Sequence, residues 1–68
     1  MELSARNHLP GIVKTVKLGN VMAEVILDVA GNALVAVITR ASAERLRLKD
    51  GDRVTAVIKA TEVMIAKG

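Results

Sequence analysis

Residues 21–39 read VMAEVILDVAGNALVAVIT, and this stretch decides the class of fold. Two runs rich in β-branched residues, 21–30 and 33–39, flank Gly31-Asn32, a pair that is a short-range signal for a β-hairpin. The first run mixes apolar with acidic side chains on its second face, and the second run is apolar on both faces. Because an antiparallel strand with one solvated face should alternate cleanly, the pattern predicts strands that are covered on both sides.

The segments outside the hairpin complete the order β-β-β-α-β-β. Residues 12–18 and 53–60 predict further strands, and residues 63–66 predict a short last one. Residues 41–48 carry good helix formers with apolar residues at helical spacing, which predicts a helix of about two turns. This order is typical of an all-β fold, a small five-stranded OB-like barrel with one short helix, and we expect a single domain over residues 1–68.

Composition limits what such a small domain can do. The chain has 68 residues, no cysteine, one histidine and no aromatic residue, which excludes disulfides, thiolate metal sites and a multi-histidine cluster within one chain. So short a chain cannot cover two-faced strands, and we expect another copy of the chain to cover them. No apolar run approaches the roughly 20 residues of a membrane helix, and the first residues do not resemble a signal peptide, so we expect a cytoplasmic protein.

Three separated segments offer hydrogen-bond donors and contain no carboxylate. They are Ser4-Ala5-Arg6-Asn7, Thr39-Arg40-Ala41-Ser42 and Lys59-Ala60-Thr61. A fully ionised oxyanion can only accept hydrogen bonds, so these segments suit it, whereas phosphate keeps a proton near neutral pH and would leave that proton unpaired. Each segment also has an ordinary structural interpretation. The first can be a polar start to the first strand, and the third can be an exposed strand lysine. The second can be an N-cap of the helix, which can coexist with an anion at the helix N-terminus. The sequence pairs no nucleophile with a general base, so catalysis is not predicted.

Taken together, these segments resemble those of the molbindins, small cytoplasmic molybdate-binding proteins built from a Mop domain, which is a variety of the TOBE domain. The resemblance runs from one end of the chain to the other. The Ser-Ala-Arg-Asn start and the Lys-Ala-Thr near the end are its more specific motifs, and the run 36–39 with Ser42 strengthens it.

The resemblance implies an OB-like fold that exchanges strands between subunits and assembles as a homohexamer, a trimer of dimers. It implies a non-enzymatic role in intracellular molybdenum storage or homeostasis, with molybdate or tungstate held between subunits. Carried over position by position, the oxyanion-binding residues are Ser4, Ala5, Arg6, Asn7, Thr39, Ser42, Lys59 and Ala60. In this set the two cations would neutralise the dianion, the hydroxyls would donate hydrogen bonds, and the N–H groups of the alanines would complete the shell.

Two other classes of function stay open on the residues alone. An OB-type or swapped-hairpin module could bind nucleic acid, but such modules usually stack bases on aromatic side chains, which this chain lacks. Its net charge of +3 is also low for a nucleic-acid binder. A regulatory oxyanion-sensing domain is the other possibility. The oxyanion-binding interpretation is therefore preferred, without nucleic acid as a partner.

Overall fold

The computed structural model describes residues 6–68. Within them the chain forms four antiparallel strands and one short helix, which agrees with the predicted mostly-β class. The elements are β1 (Asn7–Leu18), β2 (Met22–Val29), β3 (Asn32–Thr39), α1 (Arg40–Arg45) and β4 (Arg53–Ile58), followed by a 3₁₀ turn at Ala60–Glu62. No helix in this part of the chain is long and apolar enough to span a membrane.

The strands form one sheet in the order β3-β2-β1-β4, in which β1 pairs with both β2 and β4. Its first half pairs with β4, from Asn7 to Ile12, and its second half pairs with β2, from Ile12 to Leu18. A β-bulge interrupts the β1–β2 ladder just after Val13. The Val13 N–H donates to the carbonyl of Asp52 (2.9 Å), and the Val13 carbonyl accepts from the Gly51 N–H (2.8 Å). The bulge therefore bends β1 where it changes partner, as the wall of a small barrel requires.

The predicted hairpin forms, but its turn lies one residue earlier than Gly31-Asn32. Ala30 and Gly31 are the two central residues, with φ of 52° and 86°, and Asn32 begins β3 opposite Val29. Two successive positive φ values are typical of the type I′ turn that suits the twist of a hairpin. The Gly31 N–H donates to Oδ1 of Asp28 (2.8 Å), which stabilises the turn although an alanine occupies its first central position.

The first strand begins five residues before the predicted start at Ile12. The extra segment contains Pro10 and Gly11, both poor strand residues, and for that reason the sequence gives no strand signal there. In this segment β1 pairs with β4 alone, so the missing N–H of Pro10 can fall on an unpaired side. A distant partner strand therefore forms the segment, against its local preference.

The helix is shorter than the predicted 41–48. It ends at Arg45 because Arg47 adopts a left-handed conformation (φ 53°) and the chain turns back. The N–H of Leu48 donates to the carbonyl of Ala43 (3.2 Å), and the N–H of Arg47 donates to that of Glu44 (3.0 Å). These two bonds form a complete Schellman motif, with an arginine where glycine is usual.

One face of the sheet carries a small apolar core. The buried residues are Val13, Ala23, Val25, Leu27, Ala43 and Ala56. The strand predicted for residues 53–60 is confirmed over Arg53–Ile58, where Ala56 is buried and its neighbours Thr55 and Val57 are exposed. The opposite face of β3 stays uncovered, since Val35 and Val37 are 56% and 61% exposed.

The predicted fifth strand, residues 63–66, does not form within residues 6–68. The 3₁₀ turn at Ala60–Glu62 is followed by irregular backbone up to residue 68. Met64 and Ile65 are 93% and 95% exposed. An open apolar groove of about 390 Å³ lies between the two edge strands, with Leu34, Ala36 and Ile38 on one wall and Val54, Ala56 and Ile58 on the other. The sheet is thus an unclosed barrel, because a strand forms only against a hydrogen-bonding neighbour and this tail has none within residues 6–68.

Candidate oxyanion-binding site

The end of β3 holds a cluster of two hydroxyls and one guanidinium. Thr39 is the N-cap of α1, and its Oγ1 accepts from the Ser42 N–H (3.1 Å). The Oγ1 of Thr39 also lies 2.8 Å from Oγ of Ser42, within hydrogen-bonding distance. Arg45, one helical turn further on, donates from Nη2 to the same Ser42 Oγ (3.3 Å). We call Thr39, Ser42 and Arg45 the hydroxyl cluster.

Backbone donors at the start of α1 are partly used within the chain. The N–H of Arg40 donates to the carbonyl of Val21 (2.7 Å), and the N–H of Ser42 is capped by Thr39. The N-cap interpretation of Thr39 is therefore confirmed. What the cluster offers to an anion comes from its side chains, since a helix of six residues has only a weak dipole.

The other predicted residues lie where β1 and β4 meet at the end of their ladder. Asn7 is half-buried and pairs with Ile58, and its Nδ2 donates to the Ile58 carbonyl (3.2 Å). Continuing this register places Arg6 beside Lys59, and both side chains are exposed. Ala60 follows as the first residue of the 3₁₀ turn. We call Arg6, Asn7, Lys59 and Ala60 the cationic group.

Charge in the cationic group is not neutralised by the part of the chain described. The ion pair found among residues 6–68 joins Arg40 Nε to Glu44 Oε2 at 3.6 Å, on the exposed side of α1. Neither Arg6 nor Lys59 has a carboxylate partner there. Within residues 6–68, the hydrogen-bond donors of these two exposed cations are therefore not engaged by a carboxylate.

Asn7 also makes a structural contact within the chain. Its amide nitrogen is engaged with the Ile58 carbonyl, so this side chain holds the first strand against the last one. The bond joins residues separated by 51 positions and ties Asn7, next to Arg6, to Ile58, next to Lys59. The predicted residues Ser4 and Ala5 lie outside the described residues.

The hydroxyl cluster and the cationic group are not brought together within one chain. Thr39 pairs with Met22 near the Leu18 end of β1, whereas Asn7 is at the other end of that strand. The two groups follow opposite edge strands, and no hydrogen bond or ion pair between residues 6 and 68 connects them. The chain therefore carries two separate sets of donors.

Arg45 was not among the residues predicted from the sequence. The signal was present, because Arg45 lies three residues after Ser42 in a segment predicted to be helical, and residues at that spacing are neighbours on a helix surface. Asn7 was predicted as a direct donor, and its bond to the backbone could not be read from local sequence.

Comparison with known proteins identifies the family of the chain. The TOBE domain matches residues 3–65. Molybdenum-pterin-binding protein 3 of Clostridium pasteurianum is 50% identical over 66 residues, which is 96% of this chain and 97% of that protein. The molybdate-binding protein of Sporomusa ovata has a structure that superposes with a TM-score of 0.93 at 46% identity, covering 98% of this chain and 100% of that one.

A longer protein contains the same fold. The cytoplasmic molybdate-binding protein ModG, solved with molybdate bound, superposes with a TM-score of 0.83 at 46% identity. The match covers 88% of this chain and 43% of the ModG chain. With a TOBE match over nearly its whole length and relatives of about half-identical sequence, the chain belongs to the TOBE-domain family, in the group of the molybdenum-pterin-binding Mop proteins.

Proposed function

We propose that this chain is a cytoplasmic, non-enzymatic molybdate-binding protein, a single Mop-type domain over residues 1–68 that stores or buffers the oxyanion. The observation that carries the proposal is the pair of donor sets, the hydroxyl cluster and the cationic group, neither of which contains a carboxylate. Tungstate has the same charge and shape as molybdate and is expected to bind as well. The proposed ligands are Ser4, Ala5, Arg6, Asn7, Thr39, Ser42, Lys59 and Ala60.

The separation of the donor sets supports a site between subunits. Each set alone surrounds only part of a tetrahedral anion, and within one chain the sets follow opposite edge strands. When the hydroxyl cluster of one subunit meets the cationic group of another, hydroxyl and cationic donors face the same dianion. Such a site exists only in the assembled protein, so binding stabilises the assembly by mass action.

The apolar groove supports exchange of the last strand between subunits. The groove lies between the two edge strands, β3 and β4, where a fifth strand would close the barrel. The exposed run Val63, Met64 and Ile65 supplies apolar side chains of the kind that line the groove. We propose that this tail of one subunit enters the groove of another, and that the exposed face of β3 packs in a hexamer arranged as a trimer of dimers.

The test compares anions at matched ionic strength. The unmodified chain is titrated calorimetrically with molybdate, tungstate, sulfate and phosphate, and its native mass is measured by sedimentation with and without molybdate. We expect saturable binding of molybdate and tungstate, a raised melting temperature with both, little effect of phosphate, and an oligomer at micromolar concentration. A monodisperse monomer, or equal stabilisation by all four anions, would contradict the proposal.

A further inference from the structure

The side chain of Arg45 changes what the neighbouring hydroxyls can offer. Its Nη2 lies 3.3 Å from Ser42 Oγ, and the Thr39 and Ser42 hydroxyl oxygens are 2.8 Å apart. A guanidinium only donates hydrogen bonds, and it keeps its charge at every pH that a protein survives. Arg45 therefore occupies one lone pair of Ser42 in this structure, and as a cation it can only donate there.

Counting donors and acceptors gives the consequence. The two hydroxyls have two hydrogens and four lone pairs between them. The hydrogen bond between the two hydroxyls uses one hydrogen and one lone pair, whichever oxygen donates. The Ser42 N–H uses one further lone pair, which belongs to Thr39 Oγ1. Without Arg45, one hydrogen and two lone pairs are left for a ligand. With Arg45, one hydrogen and one lone pair are left.

We propose that Arg45 is a specificity-determining residue that makes the Thr39–Ser42 pair a donor surface and so favours fully deprotonated oxyanions over protonated ones. This inference rests on the proposed function, because it concerns the selectivity of the same site. A protonated anion such as hydrogenphosphate needs an acceptor for its own hydrogen, and Arg45 removes half of the acceptor capacity that this pair would have. Donation from a cation into Ser42 Oγ also polarises the remaining O–H group and strengthens it as a donor.

The charges around Arg45 are consistent with this role. Glu44, the carboxylate of α1, lies against Arg40 at 3.6 Å. The basic residue in the last turn of the helix is Arg45, and its guanidinium reaches back to Ser42. Arg47 is two residues further on and equally cationic, and its side chain makes no hydrogen bond within residues 6–68. It provides a matched control for charge.

The experiment measures a ratio of affinities. Molybdate is titrated calorimetrically into the unmodified chain, Arg45→Met, Arg45→Lys and Arg47→Met, and phosphate is measured in competition against molybdate at pH 7. We expect Arg45→Met to lower the molybdate-to-phosphate selectivity by about two- to tenfold, the range for one hydrogen bond of ordinary strength. Arg45→Lys keeps a cationic donor and should restore most of the selectivity, and Arg47→Met should leave the ratio unchanged.

A second background separates this effect from a general loss of charge or fold. In a Ser42→Ala chain, Arg45→Met should cause no further change in the ratio, because the oxygen that it orients is gone. Equal ratios in the unmodified chain and Arg45→Met, with molybdate still bound, would overturn this inference and leave the proposed function intact. Failure of the unmodified chain to bind molybdate would overturn both.

Discussion

Lys59→Met is the sharpest test of the cationic group, because methionine keeps most of the unbranched stem and deletes only the charge. Lys59 follows the last residue of β4, is exposed, and has no carboxylate partner in the described chain. Hydrogen bonds to charged groups contribute about 1.5–3 kcal/mol, so molybdate affinity should fall by roughly 10- to 150-fold if Lys59 faces the ion.

The ion-free assembly should respond in the opposite direction. Continuing the β1–β4 register places Lys59 beside Arg6, and like charges on facing strand positions destabilise by about 0.2–1 kcal/mol. The variant should therefore keep its native mass and its ion-free melting temperature, or gain slightly in stability. Loss of affinity without loss of assembly would identify Lys59 as a ligand.

Calorimetric titration with molybdate measures the affinity, and sedimentation equilibrium measures the assembly. Lys49→Met is the control, because it lowers the net charge by the same amount from an exposed loop position. If the two variants bind molybdate equally well, Lys59 is an ordinary exposed strand lysine, and its assignment as a ligand is wrong.

Two further predictions concern stability and assembly. Ile65→Ser should weaken a strand-exchanged dimer by about 3–6 kcal/mol, because full burial of an isoleucine contributes about 1.5–3 kcal/mol and a dimer contains two copies. Sedimentation should show the dissociation constant of the dimer rising at least 100-fold in Ile65→Ser, whereas the neighbouring Lys67→Ser should leave it nearly unchanged. Equal dissociation constants in the two variants would argue against exchange of this tail. Arg47→Gly should stabilise the fold by about 0.5–1 kcal/mol, since glycine adopts the left-handed conformation without strain. Calorimetric melting should show a rise of roughly 2–8 °C, and Lys49→Gly, at an ordinary φ, should show none.

Local signals in the sequence were sufficient for the central hairpin. Alternation and turn chemistry located β2 and β3 to within one residue at each end. The turn was misplaced because Ala30 adopts a positive φ that the rules assign to glycine or asparagine. The helix end was misplaced for the same reason, since Arg47 occupies the glycine position of a Schellman motif.

Features that depend on distant parts of the chain could not be predicted in this way. The start of β1 forms because β4 pairs with it, and its own Pro10-Gly11 argues against a strand. Residues 63–66 have the composition of a strand but pair with no strand edge among residues 6–68. For the candidate site, the Thr39–Ser42 cap was predictable from spacing, whereas the Asn7–Ile58 bond was not, because it closes a loop of 51 positions.

The hydroxyl cluster is held by contacts between residues close in sequence and the cationic group by a contact between distant ones, which affects the order in which they form during folding. The hydroxyl cluster is closed by bonds between residues three positions apart, so it can form as soon as the first turn of α1 does. The cationic group needs Asn7 to meet Ile58, a contact that carries the loop-closure entropy of most of the chain and waits for β4. During synthesis or refolding, each chain should therefore form the hydroxyl cluster first and the cationic group last. Pulsed hydrogen exchange should detect this as early protection of the Ser42 N–H, and simultaneous protection of β4 would contradict it. A newly made subunit would then present the hydroxyl cluster before it can supply the cationic group.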